Sequence, residues 1–455
     1  MSLDDSHTAQ IDLSSERVDI RADYGDLLPG IAHARMRLSY TDYRHKEIDG
    51  DTVFSNYSNE VYDARLELTH KPLLGFTGTL GVQYTDGIFN GINYNDAHEG
   101  DPELGFVEPV DYETESYGLF LSERQSLGPV DLEIAFRKDW RDITIPTPQY
   151  NFSEAFLAIL PIVEQQMGVK WIDFVTEDFH ENNPDSKHNP FSASLGATWN
   201  FDEGYSAALT LARSERAPSV RELYAYGNNL ATNSYELGLA TAHRAHPSFG
   251  DPVTDVVETT KSIDLAFRKQ SGSTLFEIGL FYQEVDDYIF ARLIETENET
   301  GVPHNYLLYT MADAKLTGID GQISYQFNEA SRLTVFGDYV RADLAEEEDD
   351  NLPRTPPGRF GARYDWTQSA FSANLEYIRT FNQGRIASYE TKTDGYGLIN
   401  MTLSYGLSLG SEKSMNIYIR GTNLTNELAF VHTSFVKDQS PLRGRNIVFG
   451  VGYAF

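Results

Sequence analysis

Histidines grouped with acidic residues are the side chains in this sequence best suited to chemistry, and that chemistry is metal binding. His243 and His246 are three residues apart, and Asp251 and Asp255 follow them. Imidazole nitrogens and carboxylate oxygens are ligands that suit zinc and other borderline metals. This segment is therefore our first candidate metal site. The alternative interpretation is that both histidines are solvated polar residues of a loop.

Two further clusters offer the same kinds of ligand. His98 has Asp96 and Glu99 beside it. His45 precedes a short acidic stretch. The acidic residues in that stretch are Glu47, Asp49 and Asp51. Each cluster is a candidate metal site, and each has the alternative interpretation of a solvated acidic loop.

The overall charge limits the possible partners. The formal net charge is -32, which argues against nucleic acid as a partner because its binding requires a basic surface. Acidic loops raise the local concentration of cations. The acidic run at 346–350 is one such segment, and its alternative interpretation is a solvated loop tip. The sequence has no Gly-x-Ser-x-Gly elbow, no glycine-rich phosphate loop and no His-Glu-x-x-His motif. These features favour a protein that binds its ligand without breaking bonds.

The elements that must position these loops are membrane-spanning strands. The mean hydropathy is -0.41, and no run approaches the roughly 18 to 20 apolar residues of a spanning helix. A chain of this kind can cross a bilayer only as a closed barrel. In the final segment Ile447, Phe449, Val451, Tyr453 and Phe455 occupy one face of a strand, and small residues dominate the other. Such alternation recurs along the chain, as one lipid-facing surface requires.

The connections between strands alternate between short and long. Short links are predicted at 27–30, 72–75, 126–129, 202–204, 270–273, 328–331, 367–369 and 410–413. Longer polar loops are predicted at 45–57, 87–112, 146–187, 217–255, 293–305, 344–355, 382–393 and 426–441. The pattern predicts an all-β, antiparallel, up-and-down transmembrane β-barrel with short periplasmic turns, long extracellular loops and about 17 strands. Because bacterial barrels of one chain have an even strand number, we expect at least one strand before Met1.

One helix is predicted in the longest outer loop. Ser153 is suited to cap its N-terminus, and Phe156, Leu160, Val163 and Met167 follow at helical spacing. The helix would either cover the lumen as a lid or pack against the barrel rim.

Several segments, taken in order, resemble the barrel of TonB-dependent outer-membrane receptors. Residues 214–238 are similar to the family's RAP-x-x-x-EL segment and the ATxxYELG that follows it. Residues 312–320 look like its A-x-x-x-G-[IV]-[ED] strand, and 420–426 with the terminal Phe455 match the end of these barrels. The resemblance implies an outer-membrane location in a Gram-negative bacterium and a barrel of about 22 strands. On this interpretation residues 1–455 are the barrel portion, without the N-terminal plug and the first strands.

The resemblance also implies partners and a ligand. The partners are outer-membrane lipid, the TonB complex acting through the plug, and the barrel assembly machinery acting through Phe455. Residues 40–45 and 62–70 are most like the zinc-uptake type, so zinc is the implied transported ligand, with no certain cofactor. A siderophore or other nutrient receptor, a passive pore without a plug, and an outer-membrane enzyme with a lumenal histidine remain as alternatives.

Overall fold

Long antiparallel strands make up most of the chain. The computed structural model describes residues 9–93, 106–107, 111–147, 150–152, 154–229, 234–297, 303–345, 351–410 and 413–454. The strands are β1 (Ala9–Leu28), β2 (Ile31–Asp49), β3 (Thr52–His70), β4 (Phe76–Asn93), β5 (Phe106–Val107), β6 (Asp111–Leu127), β7 (Val130–Thr144), β8 (Tyr150–Asn151), β9 (Ser186–His188), β10 (Phe191–Asp202), β11 (Tyr205–Arg216), β12 (Tyr226–Asn229), β13 (Ser234–Leu237), β14 (Glu258–Lys269), β15 (Thr274–Glu297), β16 (Pro303–Asn328), β17 (Ser331–Leu344), β18 (Arg359–Gln368), β19 (Phe371–Thr380), β20 (Tyr396–Ser408), β21 (Ser414–Thr422) and β22 (Asn446–Ala454). The helices are α1 (Glu154–Met167), α2 (Trp171–Asn182), α3 (Val220–Tyr224) and α4 (Ala242–Ala245), with a 3₁₀ turn at Pro247–Phe249.

Seventeen strands form one antiparallel meander. Each pairs with its neighbours in the order β1 to β4, β6, β7, β10, β11 and β14 to β22. The short strands β9, β12 and β13 join the same sheet, and β5 pairs with β8 separately. The predicted all-β antiparallel class is confirmed. Within the described ranges β1 pairs only with β2, and β22 only with β21.

All eight predicted short links join consecutive strands of the meander. The link at 126–129, for example, falls where Leu127 pairs with Val130. Gly128 in this turn has a φ of 63°, a conformation that costs glycine no steric penalty. Two-residue turns of this kind match the twist of the strands that they connect. The residue types in the turns and the alternation of side chains in the strands therefore indicate the same strand boundaries.

Two of the predicted long loops are largely strand, and that part of the prediction is wrong. Strand β2 continues to Asp49 and β3 begins at Thr52, so the predicted loop at 45–57 reduces to a tight turn. Strands β15 and β16 similarly extend to Glu297 and from Pro303 into the predicted loop at 293–305. Polar residues in these strand extensions lack the lipid-facing alternation, which is why the sequence resembles a loop there.

The two faces of the meander differ in polarity. On β14, the alternate residues Ile263, Leu265 and Phe267 are all exposed. An apolar band of this extent is unfavourable in water and suits contact with lipid. On the other face, Arg137 pairs with the neighbouring Asp139 within the same strand. The alternation therefore separates an apolar outer surface from a polar inner one.

Helices α1 and α2 lie in the connection between β8 and β9. The predicted helix is confirmed as α1, although Ser153 itself lies outside the described residues. Phe156 is buried, with its ring 5.5 Å from that of Trp171 in α2, a helix that was not predicted.

Neither these two helices nor any other helix in the described residues is long and apolar enough to span a bilayer.

Candidate functional site

The connection between β11 and β14 folds against the inner face of the sheet. Its first element is α3, which Ser219 caps: the Glu222 amide donates to Ser219 Oγ at 3.2 Å, and the Ser219 amide donates to Glu222 Oε2 at 2.7 Å. Arg216 at the end of β11 bridges Glu222 at 2.8 Å and Glu258 at 2.7 Å. Leu223 is buried in the core beneath. These contacts fix where the connection leaves and rejoins the meander.

Glu236 is the central anion of this connection. Its side chain is 7% exposed and accepts hydrogen bonds from Arg221 Nε at 2.9 Å and Asn229 Nδ2 at 2.9 Å. It lies in β13, which pairs antiparallel with β12 and, over three residues, parallel with β16. The hairpin of β12 and β13 is therefore bound both to α3 and to β16, a strand of the meander.

A cavity of about 630 Å³ lies between this connection and the inner faces of β2, β3, β4, β6 and β7. Its volume is in the range of small-molecule sites in proteins. The wall contributes aromatic and polar side chains, among them Tyr57, Tyr112 and Arg141, and the connection contributes Arg221 and Glu236. Such a lining can bind a ligand through charge, hydrogen bonds and aromatic contact.

The connection that carries α2 supports the same region. His243 Nε2 lies 3.2 Å from Asn182 Oδ1, and Arg244 donates to Asn183 Oδ1 at 3.1 Å. The Arg244 guanidinium also lies 4.2 Å from the centre of the Tyr226 ring, a cation–π contact. The two longest outer connections thus pack on one another beside the cavity.

The protonation states follow from burial and neighbours. Burial alone would raise the pKa of Glu222, but hydrogen bonds from Arg216 and Ser219 outweigh it and lower the pKa below its ordinary value. Burial raises the pKa of Tyr224 to about 12. Burial, with the charge of Arg244, lowers the pKa of His243. His243 is therefore a neutral imidazole at physiological pH, the form that binds a metal.

The predicted metal ligands at 243–255 have separate partners in the structure. His243 contacts Asn182, whereas His246 Nδ1 lies 2.6 Å from Ser248 Oγ in its own segment. Asp251 and Asp255 are exposed. Across the parts of the chain that the structure describes, no three His, Asp or Glu side chains are grouped closely enough to hold a metal ion. A metal site here stays a prediction that requires these side chains to move together.

The other two clusters have different outcomes. His98 and Asp96 lie outside the described residues. His45 lies in β2, paired with Tyr57 of β3 and stacked on its ring at 4.6 Å. It lines the cavity together with Glu47, whose carboxylate accepts a hydrogen bond from Ser55 at 2.5 Å. The predicted loop position of His45 is wrong, because His45 lies in β2. The sequence did not predict that this histidine would line a cavity of ligand size.

Sequence reasoning did not find Arg141 and His188, which lie opposite one another on β7 and β9. Arg141 lines the cavity and His188 is 2% exposed. The only sequence signal is that Arg141 falls in the inward phase of a strand that also carries Arg137 and Asp139. Nothing local indicates that His188, 47 residues further along, would return to this position.

Comparison with known proteins gives a consistent family and fold. A family model described as "TonB dependent receptor-like, beta-barrel" matches residues 2–424. Among solved structures, "Copper transporter OprC" superposes with a TM-score of 0.73 at 13% identity, covering 98% of this chain and 66% of that one. The FrpB iron transporter from Neisseria meningitidis (F3-3 variant) gives 0.66 at 11% identity, covering 98% and 63%. The ferric citrate transporter FecA in the unliganded form gives 0.67 at 11%, covering 97% and 62%.

At these identities the likeness to the solved structures concerns the fold. The chain spans slightly less than two thirds of the length of each of these three structures.

Proposed function

The chain belongs to the family of TonB-dependent receptor-like β-barrels, and from this premise we propose that it is the barrel of an outer-membrane receptor for a metal ion or metal chelate. The ligand binds at the outer side, and energy delivered through TonB drives its import. The proposal places the plug and the TonB contact outside residues 1–455. The membership sets aside the outer-membrane enzyme, because TonB-dependent receptors are transporters.

The cavity of about 630 Å³ beneath the β11–β14 connection is the observation that carries the proposal. It is polar, aromatic and large enough for a small chelate. Exposed apolar residues on the opposite face of the strands support a lipid environment. The titles of the similar structures name copper, iron and ferric citrate transporters, which supports a metal-containing ligand without choosing among them.

Zinc is the specific ligand that we propose, with a siderophore or another nutrient as the alternative within the same family. His243 and His246 would provide zinc ligands, with Asp251, and His45 would face the ligand in the cavity. His98 and Asp96 remain candidate ligands on sequence grounds alone.

The test of the proposal is uptake by cells that carry the full-length natural protein. We expect accumulation of labelled zinc that disappears when TonB is deleted. Accumulation that persists without TonB would favour the passive pore, and TonB-dependent uptake of ferric chelates but not zinc would favour the siderophore alternative.

Calorimetry on the same protein tests the proposed ligands. We expect weaker zinc binding when His243→Ala and His246→Ala are combined. His33→Ala is the matched control, because His33 lies near the opposite end of β2 and contacts Asp23 at 3.2 Å. Unchanged zinc affinity in the double variant would remove both histidines from the site.

A further inference from the structure

Three polar side chains at the outer ends of β7 and β9 carry buried atoms that have no hydrogen-bond partner. Arg141 pairs in register with His188, and Ile143 with Ser186. Residues two apart in a strand share a face, so Arg141, His188 and Ser186 lie on one inward surface. His188 and Ser186 are each 2% exposed. Arg141 Nε, both ring nitrogens of His188 and Ser186 Oγ are all buried and unpaired.

The carboxylates nearest to Arg141 are already engaged elsewhere. Glu222 is bound by Arg216 and by the Ser219 amide. Asp142 points to the other face of β7, where Lys187 lies 3.4 Å away. Asp185 accepts a hydrogen bond from the Ile145 amide at 2.9 Å. No ion pair to Arg141 is present among the described residues, although a buried guanidinium nitrogen such as Arg141 Nε is unfavourable without a partner.

The site supplies more hydrogen-bond donors than acceptors. Burial and the charge of Arg141 lower the pKa of His188, and the Thr254 main chain and the nearby aspartates do not reverse this. The neutral ring still has one N–H to donate, and Ser186 and the guanidinium add further donors. The Tyr224 hydroxyl beside them donates to the Pro184 carbonyl at 2.8 Å. What Arg141 lacks, among the described residues, is a carboxylate bonded to its guanidinium.

We propose that Arg141, His188 and Ser186 form an anion-binding corner of the cavity, which takes a carboxylate of the small-molecule ligand. Arg141 lines the cavity and is the first contact, since a guanidinium binds a carboxylate through two parallel N–H donors. His188 and Ser186 lie behind it and orient the bound group once the guanidinium turns towards the ligand. The inference rests on the proposed function and narrows it: the ligand that occupies this cavity is a metal held by an organic acid that carries a free carboxylate.

The experiment measures binding of citrate, oxalate and glycerol to the full-length purified protein by calorimetry, with zinc alone as a separate titration. We expect the two carboxylates to bind and the uncharged glycerol not to bind. Loss of a hydrogen bond to a charged group predicts a 10- to 100-fold weaker affinity for citrate in Arg141→Gln. Arg137→Gln is the matched control, because Arg137 lies on the same face of β7 but is already paired with Asp139 at 2.5 Å.

Further variants keep the inference testable if Arg141→Gln does not assemble. Arg141→Lys retains the charge but loses the planar pair of donors, so we expect an intermediate affinity. His188→Gln and Ser186→Ala should each weaken citrate binding less than Arg141→Gln does. Equal citrate affinity in wild type, Arg141→Gln and Arg141→Lys would overturn the inference, as would an equal loss in Arg137→Gln. TonB-dependent uptake alongside absent carboxylate binding would refute this inference while leaving the proposed function in place.

Discussion

Replacing Arg221 with alanine tests whether the buried ion pair holds the β12–β13 hairpin in place. The change removes the two-nitrogen contact to Glu236 and leaves Asn229 as the remaining partner of that carboxylate in the described residues. Removing one partner of a fully buried pair destabilises by about 3 to 5 kcal/mol. Arg221 is 54% exposed, so water can reach Glu236 from that side, and we expect a smaller cost of about 2 kcal/mol.

The expected loss is local, because the meander does not depend on this hairpin for its strand pairing. Amide hydrogen exchange reports such local opening directly. A cost of about 2 kcal/mol corresponds to a roughly 30-fold faster exchange of the β12 and β13 amides. Peptides from β18 to β20 should exchange at their wild-type rates.

Two further variants distinguish the destabilisation caused by an unpaired buried charge from that caused by lost side-chain packing. Combining Arg221→Ala with Glu236→Gln removes the uncompensated charge, so we expect exchange to return at least halfway to the wild-type rate. Arg213→Ala is the matched control, since Arg213 is 48% exposed and pairs with Glu215 at 2.6 Å on β11. The reasoning fails if Arg221→Ala leaves exchange unchanged, or if the double variant exchanges faster than the single one.

Four other outcomes are expected. Burial lowers the pKa of His432 below its ordinary value of 6.5. The contribution of the neutral His432 side chain to folding stability is therefore complete above about pH 6.5, and it is lost as the pH falls towards the folded-state pKa. His432→Gln should flatten the dependence of thermal stability on pH between about 7 and 5, and an unchanged slope would contradict the assignment. Gly81→Ala should destabilise the barrel by about 1 to 3 kcal/mol in urea unfolding, because a Cβ there collides with the Phe120 ring; wild-type stability would show that the ring can move aside. Ser219→Ala should cost about 1 kcal/mol of local stability at α3 by removing its cap, measured by hydrogen exchange, whereas Ser219→Thr should preserve most of it. Deleting Phe455 should reduce the amount of heat-modifiable barrel in the membrane if the assembly machinery recognises this residue, and normal amounts would argue against that partner.

The meander was predictable from sequence because its signals are local. Alternating apolar residues such as Ile447 and Phe449 define a strand, and the turn between Leu127 and Val130 is marked by glycine and proline. The pattern failed where strands leave the lipid. His45 belongs to such an extension, where both faces of the strand are polar and strand and loop cannot be told apart.

The candidate site was much less predictable, since it depends on contacts between distant segments. The opposition of Arg141 and His188 requires the chain to pass through two helices and return as β9. The burial of Glu236 depends likewise on Arg221 and on β16. The histidine clusters were found by residue type alone, and their metal binding stays a prediction.

The three-residue parallel pairing of β13 with β16 divides the β11–β14 connection into a fixed part and a movable part. Arg221 and Glu236 belong to the fixed part, because displacing Glu236 would separate β13 from β16. The stretch from Ala242 to Phe249 forms short turns whose backbone hydrogen bonds stay inside the connection. A shift of this stretch would break the side-chain contacts of His243 with Asn182 and of Arg244 with Asn183, but no strand pairing. His243 and His246 travel with it. A rearrangement of this stretch would therefore reposition both histidines relative to the Arg221–Glu236 pair, which would keep its place.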